Sequence, residues 1–463
     1  MISLQFLGAA GTVTGSKYAL TVGPERIFID AGLFQGRSDL RQRNWEKLPV
    51  VAADFSALLL THAHIDHSGY LPRLVRDGFH GPIFCTSATA ELTQLLLRDC
   101  AKLQLEEAEY RNEKHLTRHS PALPLYDDKD VAATLPLLRE VSYGRPVRVA
   151  PGIQATFHEA GHILGSAWLE LDLTENGETL KLVMSGDLGR ENAAILRDPE
   201  PPVDCDYLVV ESTYGDRLHD PDPVGPRLAA IVQDCIRREA VLVIPAFAVE
   251  RAQELIYILG ELAAEHEISH VPVFVDSPMA AEACHIFERH RECFDSEARQ
   301  HSRFAGGLLT YENLKICATS AQSKQIFRTN PPYVVISASG MAEGGRVLHH
   351  LRRSLPNPRD TVLLVGFQAE ETRGRQLQDG AESIRIFGED VPVRARIQVL
   401  DGFSGHADYA QVNRWLRHLT RPPRRVFLSH GEPPALQAQQ ARIHSWEGWK
   451  AEIPQPGQSY ELS

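Results

Sequence analysis

The 463-residue chain is 43% hydrophobic and 23% charged, with a formal net charge of −12. That length exceeds one ordinary core, so two or three domains are expected, and the charge excludes a surface that is basic all over while leaving room for a local basic patch or a bound metal. No apolar run approaches the roughly 20 residues needed to span a bilayer, so no membrane partner is expected; MISLQFLGAAGTVTGS lacks the basic lead of a signal peptide, and seven scattered cysteines without a Cys-x-x-Cys read as reduced thiols of a cytoplasmic protein.

In chain order, the first part reads as short apolar runs closed by turns: ISLQFLGA, YALTV, RIFIDAG, ALLLTH, IQATFHEAG, WLELDL, LKLVMSGD and YLVVEST. Their alternation and their Gly and Asp punctuation predict strands of layered sheets. Residues 91–118 are mixed in charge, with apolar residues at helical spacing, and predict a long helix. From about residue 225 helix and strand alternate: RLAAIVQDCIRRE, AVLVIPAF, then AVERAQELIYILGELAAEH. VPVFVDSP, PYVVISASG and TVLLVGFQ repeat the strand-then-turn pattern, which predicts an α/β region around a largely parallel sheet. Short strands return after about residue 390 with ARIQVLDGFSGHAD and RRVFLSHGE. The middle therefore reads as an α/β domain inserted into, or following, a domain that resumes near the C-terminus.

Several of these apolar runs end in an acid or a histidine: Asp30, His162, Asp187, Glu211 and His430. Strand ends beside loops are where rigid scaffolds present functional groups, although any one such residue alone reads as a turn residue or a cap. The densest case is LLLTHAHIDHSGY, which places His62, His64, Asp66 and His67 within six positions. Neutral imidazole and carboxylate suit zinc and related divalent ions. In an extended segment i and i+2 project to one side, so His62 and His64 can grip one ion together. Asp66 and His67 follow where a helix begins and can face a second ion. His162 can complete the first set, His430 the second, and Asp187, with two oxygens, can bridge them. Two metals roughly 3.5–4 Å apart would hold a bridging hydroxide and polarise a phosphoryl or carbonyl oxygen. The histidine-rich set favours two Zn2+ per chain, with Mn2+ the alternative.

His62-x-His64-x-Asp66-His67, with His162, Asp187 and a late histidine, resembles the metallo-β-lactamase hydrolases. LGAAGTVTGS and IDAGLFQG are similar to that family's first strands, and Asp30 matches an aspartate that orients the metal loop without binding metal. The similarity is closest to the β-CASP branch, the nucleic-acid nucleases of this fold. Glu211 in ESTYGDRLH matches its acidic motif A, His406 in SGHAD its motif B, and His430 in SHGE its motif C. The segment containing IPAFAVERAQEL, DSPMA, SASGMAEGGR and GFQAEETRGR resembles the β-CASP cap. Nearly the whole chain is covered, and it looks most like the endonuclease subunit of the cleavage and polyadenylation specificity factor and its bacterial relatives. The resemblance implies an α/β fold: an αββα sandwich built from residues 1–212 and 389–463, with a Rossmann-like β-CASP domain inserted at 213–388.

In that family motif C is a histidine in enzymes acting on RNA and commonly a valine in DNA-processing relatives, so His430 implies RNA. The resemblance further implies hydrolysis of RNA phosphodiester bonds, endonucleolytic in mode, with single-stranded RNA and a second copy of the chain as partners. His406 is then the general acid for the leaving 3′ oxygen, with Glu211 accepting its other N–H and raising its pKa. Asp66 would also orient the attacking hydroxide. For substrate, Ser337, Ser339, Gly340 and Arg346 in SASGMAEGGR are candidates to cradle a phosphate, and Arg251, Arg373 and Arg375 to line the cleft. RPPRR at 421–425 reads as a solvated turn. Two departures stand out. Glu250 occupies a position where relatives often have glycine, and DGFSGHAD lacks the extra histidine that RNase J enzymes place before SGHA, which weakens a 5′-3′ exoribonuclease reading. The remaining rivals are a small-molecule (thio)ester hydrolase of the same fold, opposed by Glu211, His406 and the insert, and a non-catalytic RNA-binding scaffold, opposed by the complete ligand set.

Overall fold

The apolar runs of the first part are nearly continuous because their strands are buried on both faces. Along Glu25–Ala31, Ile27 and Ile29 point into one core while Phe28 packs into another. Along Tyr207–Glu211, Tyr207 and Val209 face inward between sheets and Leu208 and Val210 face outward under helices. This two-residue alternation is the pleat of a strand, with both sides apolar because both sides are covered.

The computed structural model describes residues 1–116, 121–220, 222–304, 306–366 and 368–463. The chain divides into two compact units, one formed by Met1–Ala193, Arg197–Leu218 and Gly405–Ser463, the other by Ala194–Leu196 and His219–Ser404. In the first unit one seven-stranded sheet runs, edge to edge, Ser459–Leu462, Ile2–Phe6, Lys17–Val22, Glu25–Ala31, Ala57–Leu59, Ile83–Thr86 and Leu138–Val141. The other runs Ala451–Glu452, Arg425–Ser429, Tyr207–Glu211, Glu178–Met184, Ala167–Glu175, Ile153–Glu159 and Val147–Ala150. Their facing sides share one core, including Phe6, Leu20, Phe157, Leu171 and Phe427. Separate outer cores join each sheet to helices, Leu97 of Ser87–Glu113 on one side and Trp415 of Tyr409–Leu416 on the other. This is the expected αββα sandwich.

The long helix expected over 91–118 begins earlier, at Ser87, where Thr86 accepts the Thr89 N–H as its cap. It ends at Glu113, and residues 117 and 118 lie outside the described residues.

The second unit holds a six-stranded, wholly parallel sheet in the order Leu314–Ile316, Val273–Asp276, Tyr333–Ser337, Val241–Pro245, Thr361–Leu364, Arg396–Val399. The last strand, which the sequence grouped with the C-terminal segment, pairs in parallel with Thr361–Leu364, so its contacts belong to this unit. Glu250 precedes the helix Arg251–Ala264 at φ 69°, without a side-chain capping bond, a conformation glycine adopts without a steric cost. Among the described residues no helix is long and apolar enough to cross a membrane, and no two cysteines are joined in a disulfide.

One glycine fixes the approach of the histidine-rich loop to the first sheet. The Ser16 N–H donates to the Asp66 carbonyl at 2.9 Å, and the Gly32 N–H to that of Ser16 at 2.9 Å. A Cβ on Gly32 would lie 1.5 Å from the Asp66 carbonyl oxygen. Gly32→Ala is therefore expected to cost about 1–3 kcal/mol of stability and to weaken metal binding by displacing Asp66. Denaturant unfolding and chelator competition measure the two effects, and a variant unchanged in both would contradict the account.

Candidate metal centre

Each candidate ligand sits where a strand of the first unit ends. Ala57–Leu59 leads to His62 and His64, and the single turn Ile65–Ser68 carries Asp66 and His67. Ile153–Glu159 leads to His162, Glu178–Met184 to Asp187, and Arg425–Ser429 to His430, whose φ of 49° turns the chain sharply out of the sheet. One ligand atom from each of His62, His64, His162 and Asp187 lies within 4.8 Å of the others, and Asp66, His67 and His430 form a second such group.

The spacing fits a metal. His64 Nδ1 lies 3.2 Å from His62 Nε2 and 3.1 Å from His162 Nε2. Asp187 Oδ2 is 3.5 Å from each of those Nε2 atoms. A tetrahedral zinc with bonds of 2.0–2.1 Å keeps its ligand atoms about 3.3 Å apart. In the second group His430 Nε2 is 3.3 Å from Asp66 Oδ2, and Asp187 Oδ1 is 3.3 Å from His67 Nε2. Asp187 Oδ1 is buried and makes no hydrogen bond, an arrangement that costs free energy unless a cation sits beside it.

The charge states suit ligands too. Burial, reinforced by neighbouring histidines, pushes His62 and His162 well below the usual imidazole range, and burial takes His64 down to about 4. Those rings are neutral, as metal ligands must be. Burial pushes Asp66 and Asp187 up, but the surrounding histidines outweigh it and hold Asp66 at about 2 and Asp187 well below the carboxylate range. His67 goes the other way: burial lowers it, while Asp187 and Asp30 raise it well above the ordinary value. A divalent ion at its Nε2 would take the place of the proton that this negative field otherwise attracts.

Hydrogen bonds orient the rings. His67 Nδ1 meets Asp30 Oδ2 at 2.8 Å, and the other Asp30 oxygen accepts the Thr61 N–H at 2.8 Å. His162 Nδ1 donates to the Gly405 carbonyl at 3.0 Å. Thr61 Oγ1 lies 3.1 Å from His62 Nδ1, and Thr213 Oγ1 lies 3.0 Å from His430 Nδ1. In all four rings Nε2 is left facing the cluster. Thr61, Thr213 and Ser16, whose Oγ lies 3.2 Å from His67 Nε2, were absent from the candidates read in the sequence. Only Thr61, adjacent to His62, carried a local signal.

Asp30→Asn is expected to lower metal affinity about 10–100-fold. With Thr61 N–H held by the remaining oxygen, the new amide would donate to His67 Nδ1 and drive the ring proton onto Nε2, blocking that lone pair. Chelator competition measures it, and unchanged affinity would rule the orienting role out.

Glu211 and His406 lie beside the cluster. Glu211 is buried, and its Oε1 accepts the Leu188 N–H at 2.8 Å and lies 3.2 Å from His406 Nδ1. Burial lowers the His406 pKa, but the charge and hydrogen bond of Glu211, then Asp187 and Asp66, outweigh it and push it up to about 9. The ring is 21% exposed at its side chain. His406 pairs across a bridge with Gly189, and the Ala407 N–H donates to the Leu188 carbonyl at 2.8 Å, which fixes the loop.

The seven substrate-binding candidates all lie in the second unit, and several are engaged within it. Arg346 donates to Asp276 Oδ1 and the Cys317 carbonyl, both at 2.8 Å, and Ser337 Oγ to the Asp276 carbonyl at 2.9 Å. Arg251 is buried, pairs with Glu254 and lies 5.3 Å over the Phe403 ring. Ser339 Oγ accepts the Glu343 N–H at 3.2 Å, closing the turn, and Gly340 sits beside Phe247. Arg373 donates to the Arg385 carbonyl at 2.7 Å, and Arg375 pairs with Asp379 at 2.9 Å while remaining 41% exposed. Of RPPRR, expected to be a solvated turn, Arg425 instead opens the strand Arg425–Ser429 and pairs with Glu452 at 3.2 Å, while Arg424 pairs with Asp206 at 3.4 Å.

Comparison with known proteins gives a consistent result. Residues 252–377 match the Beta-Casp domain, and residues 390–454 match the Zn-dependent metallo-hydrolase RNA specificity domain. The chain is 36% identical over 432 residues to Ribonuclease TTHA0252 of Thermus thermophilus, covering 93% of each. It is 30% identical over 445 residues to Transcription termination factor FttA of Methanocaldococcus jannaschii, covering 93% of this chain and 67% of that one. A crystal structure of a protein of unknown function from Enterococcus faecalis V583 superposes with a TM-score of 0.55 over 100% of both chains at 14% identity, a likeness of fold alone.

Proposed function

This chain belongs to the β-CASP metallo-β-lactamase family, and on that premise we propose that it is a metal-dependent ribonuclease that hydrolyses phosphodiester bonds within single-stranded RNA. The observation that carries the reading is the pair of ligand groups joined through Asp187, with the Glu211–His406 pair beside them. His62, His64 and His162 would hold one Zn2+, Asp66, His67 and His430 a second, and Asp187 both. When bound, the ions would supply Lewis acidity toward a phosphoryl oxygen and lower the pKa of a water. The chain does the rest. Asp30, Thr61, Thr213 and the Gly405 carbonyl hold the ring nitrogens in register. His406 donates a proton from Nε2 to the leaving 3′ oxygen, and Glu211, facing Nδ1, keeps that ring protonated. Asp66, whose Oδ2 lies 3.3 Å from His430 Nε2 as two ligands of one ion would, also orients the attacking water.

The test is digestion of single-stranded RNA labelled at either end, with free and blocked 5′ termini, with and without chelator. Internal fragments from blocked RNA, lost with chelator and restored by zinc, are expected. Release of mononucleotides from free 5′ ends alone would favour the exonuclease. Turnover of thioesters without RNA cleavage would overturn the reading.

A further inference from the structure

Phe247 presents an aromatic ring at the carboxyl end of an interior strand of the parallel sheet. It follows Val241–Pro245, the strand flanked in the parallel sheet by Tyr333–Ser337 on one side and Thr361–Leu364 on the other. Both neighbours run parallel to it, so Phe247 lies at their common carboxyl edge. In open parallel sheets that edge is where ligands bind. The side chain is 46% exposed, although the residues on either side, Ala246 and Ala248, are buried.

The ring is held in place. The Ala246 N–H donates to the Ser337 carbonyl at 3.0 Å, and the Phe247 carbonyl accepts the Ala252 N–H at 3.2 Å. Gly340 gives the ring its seat: a Cβ there would lie 3.1 Å from Phe247 Cδ2 and 3.2 Å from Cε2. Gln368 braces that glycine, donating from Nε2 to its carbonyl at 3.2 Å. The same turn anchors the start of the helix Arg373–Gln378, because the Gly374 N–H donates to the Met341 carbonyl at 3.0 Å and the Arg373 N–H to Glu343 Oε1 at 2.7 Å. A Cβ on Gly344, in the same turn, would meet none of the described residues within 4 Å. A seated, half-exposed aromatic face at such an edge is what a single-stranded nucleic acid uses, because a base stacks on it whatever its sequence.

We propose that Phe247 is a stacking platform for one base of the RNA strand, in a subsite on the second unit. This inference rests on the ribonuclease reading above. It assigns Gly340 to seating an aromatic ring, where the sequence suggested a phosphate cradle.

The test measures binding of fluorescent single-stranded RNA by anisotropy in the H406A background, with wild-type cleavage followed in parallel. Phe247→Ala and Phe247→Leu are expected to weaken binding about 5- to 150-fold, and Phe247→Trp to stay within about threefold of the parent. The leucine variant keeps apolar bulk and its thermal midpoint, separating loss of the π face from loss of fold. In a series of strands carrying one abasic nucleotide each, one position should weaken the Phe247 protein and leave the alanine variant unaffected. Equal affinity of the Phe247 and Phe247→Ala proteins, or abasic losses that add to the alanine loss at every position, would overturn the platform while leaving cleavage intact. A wild-type protein that neither binds nor cleaves RNA would instead overturn the ribonuclease reading.

Discussion

Asp187→Ala is expected to take metal content from about two ions per chain to below one and RNA hydrolysis below detection. Among the described residues Asp187 alone reaches both ligand groups through separate oxygens: Oδ2 lies 3.5 Å from Nε2 of His62 and of His162, and Oδ1 lies 3.3 Å from His67 Nε2. Removing it strips each group of an anion and leaves the histidines to repel one another once a cation binds or a ring protonates. The effect is also visible without substrate. A ligand that binds only the folded chain at a hundred times its Kd stabilises it by about 2.7 kcal/mol, so zinc should raise the thermal midpoint of the wild type far more than that of the variant. Elemental analysis and thermal unfolding with zinc check both. Two ions retained, with an undiminished zinc-induced shift, would show that Asp187 does not join the groups.

His406→Ala is expected to lower kcat on RNA about 10²–10⁴-fold, the usual worth of a positioned general acid, with metal content unchanged. His406 lies outside both ligand groups, and its Nδ1 faces Glu211 at 3.2 Å. An acid is needed only for a poor leaving group. A nitrophenyl phosphodiester, whose phenolate leaves unprotonated, should therefore be cleaved by the variant at close to the wild-type rate. Loss of that activity too, or loss of metal, would make His406 a structural residue. Glu211 supplies a second readout. The acid works while protonated, so the rate falls as pH rises through its pKa. Glu211→Gln removes the charge that raises the His406 pKa, so the alkaline limb of the pH–rate profile should move to lower pH. A limb that stays put would separate Glu211 from the acid.

The cluster of candidate ligands was legible because its signals are local. His62, His64, Asp66 and His67 share six positions, and Asp187 and His430 each close an apolar run. The sandwich was legible for a similar reason: apolar strands of the first unit alternate between two buried faces, and a pattern of period two survives in the sequence. The roles of Glu211 and His406 rested on resemblance, since nothing local distinguishes an acid that holds a histidine from one that caps a turn.

The sequence by itself determined which residue types could bind a metal and that they lie at strand ends, because ligand chemistry and strand period are properties of short segments. Tertiary structure alone decided their company. Thr213 reaches His430 across 217 positions, and the Gly405 carbonyl reaches His162 across 243. It likewise turned Arg346 and Ser337 inward to Asp276 and left Phe247 standing on Gly340 at the sheet edge. Exposure and hydrogen-bond partners come from segments far apart in the chain, and no short stretch of residues encodes which of them meet.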